Sequence, residues 1–238
     1  MQHFRTLFAS IVLCCGAAAS ARAAENIGGS LSLTNDYVYR GVSLSQGDVA
    51  VQASAYSQPL TGLTIGAWAS TLSAERRPWA HYEVDLFASK IWAFDENWSA
   101  RLSLTHFAYL QSRVGTRFDH DEIGATLSFR DRINATVAWL PNLATYELNR
   151  IERRAAQAYE ITGTQPLFGS WSFYAGVGYY DLHTVYPRSY WYWNTGLAFS
   201  WQSLQLDLQH IDTNNDAETL FGPQSTGSRW VASVNWRF

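Results

Sequence analysis

Trp230-Val231-Ala232-Ser233-Val234-Asn235-Trp236-Arg237-Phe238 alternates between two kinds of side chain along its whole length. Residues two apart in an extended chain share a face, so Trp230, Ala232, Val234, Trp236 and Phe238 make one apolar surface, while Ser233, Asn235 and Arg237 make a wet one. The stretch reads as a β-strand with a greasy side and a polar side.

The same period recurs upstream, at eleven further places. A first strand has Leu31, Leu33, Tyr37 and Tyr39 on one face, and a second has Val49, Val51, Ala53 and Ala55. The third and fourth follow at Leu63 to Ala69 and Tyr82 to Ala88. Trp98 to Leu104, Ile123 to Phe129, and Ile133 to Trp139 are the fifth to seventh. An eighth lies around Tyr159 and Ile161, a ninth runs from Trp171 to Tyr179, a tenth from Trp191 to Trp201, and an eleventh from Leu204 to Leu208. No segment after Ala23 is long and apolar enough for a transmembrane helix, which needs ~20 residues. The pattern contains no convincing amphipathic helix either.

Links between these strands alternate in length. Gln58 to Gly62, Phe94 to Asn97, Arg130 to Arg132, Leu167 to Ser170 and Gln202 to Ser203 are short; Arg40 to Asp48, Leu72 to Trp79, Gln111 to Asp119, Pro141 to Ala155, Leu182 to Arg188 and Asp212 to Gly227 are longer and polar. Short turns at one end and long loops at the other are the rule for a transmembrane barrel with both termini in the periplasm. The expectation is therefore an all-β, antiparallel, up-and-down transmembrane barrel of about twelve strands. A closed barrel pairs every backbone amide internally and needs no helix to cross a bilayer.

Composition agrees. Aromatics form 15% of the chain, with eleven Trp and one Met, and Trp and Tyr favour the membrane-water interface. Arg5, an apolar run from Leu7 to Ala19, and Ala21-Arg22-Ala23 read as a secretory signal peptide over residues 1–23, with the barrel over 24–238. Both cysteines, Cys14 and Cys15, fall in the removed part, so the expected mature chain has no disulfide and no thiol chemistry. Removing Arg5 and Arg22 takes the net charge from −3 to −5, which argues against a nucleic-acid partner.

The terminal strand, ending on an aromatic, resembles the closing strand of bacterial outer-membrane barrels. A second likeness is more specific: Tyr37-Val38-Tyr39-Arg40-Gly41-Val42-Ser43, then Val49-Ala50-Val51-Gln52, Gly66-Ala67-Trp68-Ala69-Ser70 and Glu83-Val84-Asp85-Leu86-Phe87. These resemble Gcw_chp, a family of proteobacterial envelope proteins also labelled TorF-family porins. The chain departs from that pattern at Val49, where the family has proline. The resemblance implies an outer-membrane barrel and a pore; the terminal strand is expected to close that barrel by pairing with Leu31 to Tyr39 and to be presented to the barrel-insertion machinery. It implies no substrate and no catalytic residues.

If the apolar residues face lipid, their neighbours face the lumen. That makes Asp36, Arg40, Glu83, Asp85, Arg101 and Glu160 candidate pore-lining residues, together with Asp207, Arg229, Asn235 and Arg237. An arginine turned to lipid at midplane costs about 2 to 4 kcal/mol, so a wet or paired interior is the cheaper place. Glu83 and Asp85 are expected across from Arg101, and Asp207 beside Arg229. They either line a water-filled channel for small solutes or pair and fill a narrow, non-conducting barrel. Arg40-Gly41, where the first strand meets its outer loop, is either a constriction arginine or an ion pair beside a turn glycine. Tyr39, Trp98, Trp139, Trp171, Trp191, Trp201, Trp230 and Trp236 are expected in interfacial belts, and Trp68, Tyr174, Tyr180, Tyr190 and Tyr192 inside.

A lipid-modifying hydrolase is the competing class, since it needs a Ser, a His base and an orienting group near the outer leaflet. His210-Ile211-Asp212 lies at a suitable level, and His106 and His120 flank another outer loop, but no His stands in a telling Ser context. Asp212 to Asp216 with Glu218 lacks the glycine and terminal glutamate of a calcium hand. The reading therefore expects no enzyme, no cofactor and no metal.

Overall fold

A computed structural model describes residues 27–73, 80–111, 118–147 and 150–238; the expected signal peptide and parts of three expected outer links lie outside them. Twelve strands form a closed antiparallel barrel: β1 (Ile27–Thr34), β4 (Ala50–Leu60), β5 (Leu63–Thr71), β6 (Tyr82–Ala93), β7 (Trp98–Leu110), β8 (His120–Phe129), β9 (Ile133–Glu147), β10 (Arg150–Pro166), β11 (Trp171–Asp181), β12 (Tyr190–Trp201), β13 (Leu204–Thr213) and β14 (Arg229–Arg237). Two short strands, β2 (Val38–Tyr39) and β3 (Val42–Ser43), pair with each other, and one helix, α1 (Asn215–Phe221), lies between β13 and β14. Each barrel strand pairs with its neighbour in sequence, and β14 returns to β1 with Leu31 opposite Trp236 and Leu33 opposite Val234.

Alternation decides which way each side chain points. Along β12, Tyr190, Tyr192, Asn194, Gly196 and Ala198 are buried, while Trp191, Trp193 and Leu197 are exposed. The exposed set continues around the wall as Trp98, Trp139, Trp171, Trp201, Trp230 and Trp236. So large an apolar exterior is unfavourable in water and is what a bilayer demands of a spanning barrel.

Four expectations change. The first strand ends at Thr34, and Tyr37 and Tyr39 belong to an inward-folded connection; Tyr37 is buried and Tyr39 half-buried, so Tyr39 is not in an interfacial belt. The terminal strand accordingly pairs with Ser30 to Thr34 and not as far as Tyr39. The Pro141 to Ala155 link is not a loop, because β9 and β10 run on as a hairpin to Glu147 and Arg150. Pro141, lacking an N–H, lies beyond the last β8–β9 pair, Ile123 with Trp139, and beside a register shift between Arg154 and Ala156. The Asp212 to Gly227 link contains α1, whose seven residues are too few for a helical period to show. Its Phe221 packs edge-on against Tyr190, with ring centroids 5.7 Å apart.

Glycine makes room for one interior contact. Gly178 sits between Glu160 and Tyr192 on adjacent strands, and a Cβ there would lie 2.2 Å from Cζ of Tyr192. Tyr192 crosses this gap to donate its hydroxyl to Glu160. Gly178→Ala should therefore dislodge a buried ring and destabilise the barrel by about 1–3 kcal/mol. Urea unfolding followed by tryptophan fluorescence and heat-modifiable electrophoretic mobility measures that loss.

Candidate functional site

The connection from β1 to β4 does not stay outside the barrel. Its β2–β3 hairpin turns at Arg40 and Gly41, with φ of 47° and 78°, the pair of left-handed residues that a tight hairpin turn takes. Gly41 is required by space as well, since a Cβ would meet Thr213 Cγ2 at 2.4 Å and Tyr192 Cβ at 2.8 Å. An arginine at positive φ is unusual, because a β-carbon is penalised there.

Asp36 fixes the base of this hairpin. Its carboxylate accepts from the hydroxyls of Ser43 and Ser45, the latter at 2.9 Å, from Gly47 N at 3.2 Å and from Arg229 Nη1 at 2.9 Å. Ser45 Oγ also accepts from Tyr37 N at 2.8 Å, and Tyr37 donates its hydroxyl to Glu83. Ser43 N donates to Ser225 O at 2.7 Å, tying the hairpin to the β13–β14 connection. The Tyr-x-x-Arg-Gly-x-Ser element is thus an inward-facing plug with its own hydrogen-bond frame.

Arg40 carries the tip across the lumen. Its Nη2 lies 2.9 Å from Glu122 on β8 and its Nε 3.4 Å from Glu160 on β10. The guanidinium sits over the rings of Tyr39 and Tyr180, 4.8 and 4.9 Å from their centroids, and Tyr190 donates its hydroxyl to the Arg40 carbonyl at 3.0 Å. Burial opposes the charge, but Glu122, Tyr39 and Glu160 outweigh it, and the Arg40 pKa lies well above its ordinary value. Tyr39 donates to Glu122 at 3.0 Å, completing the cage.

Below the hairpin, towards the short-turn end, the interior changes character. Ser32, Gln52, Ser103, Thr126, Ser128, Asn134, Thr136 and Thr162 are only half-buried and bond mainly to one another, as Thr126 with Thr136 at 2.9 Å and Ser128 with Asn134 at 2.7 Å. Along β7 to β10 the short-turn half is therefore less tightly filled than the long-loop half and lined by small polar groups, whereas at the same level Ser172, Tyr174, Gln205 and Asp207 on β11 and β13 are buried.

The expected charge pairs are rearranged. Arg101 is opposite Ile91, whereas Asp85 is opposite Phe107, six residues away on β7; at ~3.3 Å per residue that is about 20 Å. Glu83 and Asp85 are almost wholly enclosed, and neither oxygen of Asp85 has a hydrogen-bond partner among the described residues. Asp207 is opposite Ser233 and not beside Arg229; it accepts from Asn235 at 2.8 Å and Gln205 at 2.7 Å. Arg237 donates to Gln205 at 2.9 Å near the short-turn end.

Two groups escaped sequence reading. Glu122 is a member of the cage, and strand parity with Gly124 and Thr126 could have placed it inside. The other is Ser228, the partner of the His210 already singled out: His210 Nε2 lies 2.7 Å from Ser228 Oγ on the outer surface, beside Trp230 at 5.2 Å between ring centroids. Eighteen residues and a helix separate that pair in sequence, so no local motif announces it. Among the described residues no group of three or more His, Cys, Asp or Glu side chains is placed to hold a metal.

The barrel is similar to several solved structures. The KdgM porin superposes with a TM-score of 0.54 at 8% identity, covering 89% of this chain and 98% of that one; a further KdgM structure is in complex with disordered oligogalacturonate. The NanC porin gives 0.59 at 8% identity, covering 88% and 97%, and an outer membrane channel from Pseudomonas putida F1 gives 0.53 at 9%, covering 89% and 94%. Comparison with curated protein sequences returns no match. The family model described as a bacterial protein of unknown function, Gcw_chp, matches residues 18–238, and the chain belongs to that family.

Proposed function

We propose that the protein is an outer-membrane pore for small hydrophilic solutes, exported by a cleaved signal peptide, seated in lipid by its aromatic exterior and delivered to the insertion machinery through β14. The observation that carries this reading is the half-open interior lined by Ser, Thr, Asn and Gln inside a closed twelve-stranded barrel. The porin architecture of the superposed structures supports it. Long loops at one end and short turns at the other support an extracellular position for the hairpin. The pore is then narrowed from outside by the β2–β3 hairpin, with Asp36, Arg40, Glu83, Glu160 and Arg229 in the narrow half, Arg101, Asn235 and Arg237 towards the short-turn end, and Asp207 enclosed there against Gln205 and Asn235. The enclosed Glu83 and Asp85 stand behind the narrow half and are not water-exposed lining.

Planar-bilayer recording of the refolded protein should show discrete conductance steps. Silence in both wild type and a hairpin-released variant, across salts and voltages, would overturn the reading and leave a closed structural barrel. Asp36→Ala is that variant: it removes four bonds and leaves the half-buried Arg229 without its carboxylate, weakening the hairpin's attachment. Conductance should rise, and the hairpin should become cleavable by protease added outside proteoliposomes.

A second reading is favoured by the His210–Ser228 hydrogen bond, which places a nucleophile and a base at the depth of Trp230, an interfacial residue. Slow acyl-ester hydrolysis of outer-leaflet lipid would be lost in His210→Ala while the barrel still folds. Lipid turnover equal in wild type and variant would sink it.

A further inference from the structure

Arg40 has the surroundings of a bound ligand. Its guanidinium is held by two carboxylates from separate strands, Glu122 and Glu160, and lies against the ring of Tyr180 on a third. Tyr192, from a fourth, orients Glu160 by donating its hydroxyl to it. All four groups belong to the wall, not to the hairpin that brings the arginine. Paired carboxylates and aromatic faces are the chemistry that recognises guanidinium and ammonium groups.

The fit is incomplete in a telling way. Arg40 is 5% exposed, yet its Nη1 has no hydrogen-bond partner among the described residues. The residue also keeps a φ of 47° at a turn position that glycine or asparagine would fill with less strain. Backbone preference therefore does not account for an arginine here; the side chain's destination does.

We propose that the wall residues Glu122, Glu160, Tyr180 and Tyr192 form a binding site for the guanidinium or primary ammonium group of a solute, and that Arg40 is its built-in occupant. A solute carrying such a group exchanges with Arg40, frees the hairpin tip and passes into the wider half. This deepens the pore reading by naming its solute class as small organic cations, and only the gating part of it rests on that reading. The charge logic points away from acidic saccharides: Arg40 and Arg229 both carry carboxylate partners, so neither presents a free positive charge to the narrow half.

Arg40→Gly removes the occupant without strain, because glycine accepts the positive φ; Arg40→Asn serves if the first variant refolds poorly. With full-length refolded protein, ethylguanidinium at millimolar concentration should raise the unfolding midpoint of the variant saturably, and that of wild type only at far higher concentration, since there it has to displace Arg40. Urea, a neutral planar analogue, should have no such effect at the same concentration. Adding Glu160→Gln to the variant should weaken the apparent affinity at least tenfold. No saturable response, or an equal response to urea, overturns the proposal. In bilayers, ethylguanidinium added to the hairpin side should raise wild-type conductance above that in potassium chloride of equal ionic strength. Binding without any conductance would sink the pore reading while sparing the site; conductance without binding would do the reverse.

Discussion

Backbone hydrogen bonding in a medium without water governs this molecule. An unpaired peptide group in hydrocarbon costs several kcal/mol, so a sheet in the membrane has to lose both its edges. β14 therefore pairs on one side with β13 and on the other with β1, and Gly29 exchanges backbone bonds with Phe238 at 2.9 and 3.1 Å. Once the ladder is closed, period two leaves each residue a choice of only two environments, lipid or lumen. Every later feature, from the aromatic exterior to the interior cage, follows from which residues took the inner side.

Those features were unequally visible in the sequence. Closure, strand number and the turn rule were legible because alternation is local and repeated. The lipid-facing aromatics were legible for the same reason, with Tyr39 the exception. Its spacing from Leu33 matches period two, but the chain leaves the strand at Thr34, and from there a parity count carries no information. Contacts between distant strands were hidden by register. Arg101 and Asp85 both point inwards, yet parity gives the side of the wall and not the height along it, and only the ladder showed them to be far apart. The helix α1 was hidden by its shortness.

The lumen shows how charge is handled in such a barrel. Arg40 satisfies two carboxylates, and Arg229 answers Asp36 inside a shell of serine hydroxyls and a backbone amide. Neither is a surface ion pair of small worth, since both are shielded from water and each loses much if one partner is removed. The hairpin is consequently held by polar bonds that solutes or protons can compete with, while the wall is held by a backbone ladder that they cannot.

Ser32 and Asn235 touch across the closing seam although 203 residues separate them along the chain. Bringing such distant strands together costs roughly 2 kcal/mol more entropy than closing a hairpin of twenty residues. Neighbouring hairpins can therefore form early, and the seam comes last. Until then the chain is a curved sheet with two live edges, each able to capture a strand from another molecule. The interval before closure, more than any weakness of the finished barrel, is when this protein is exposed to aggregation, and substitutions in β1 or β14 should lengthen it out of proportion to their effect on final stability.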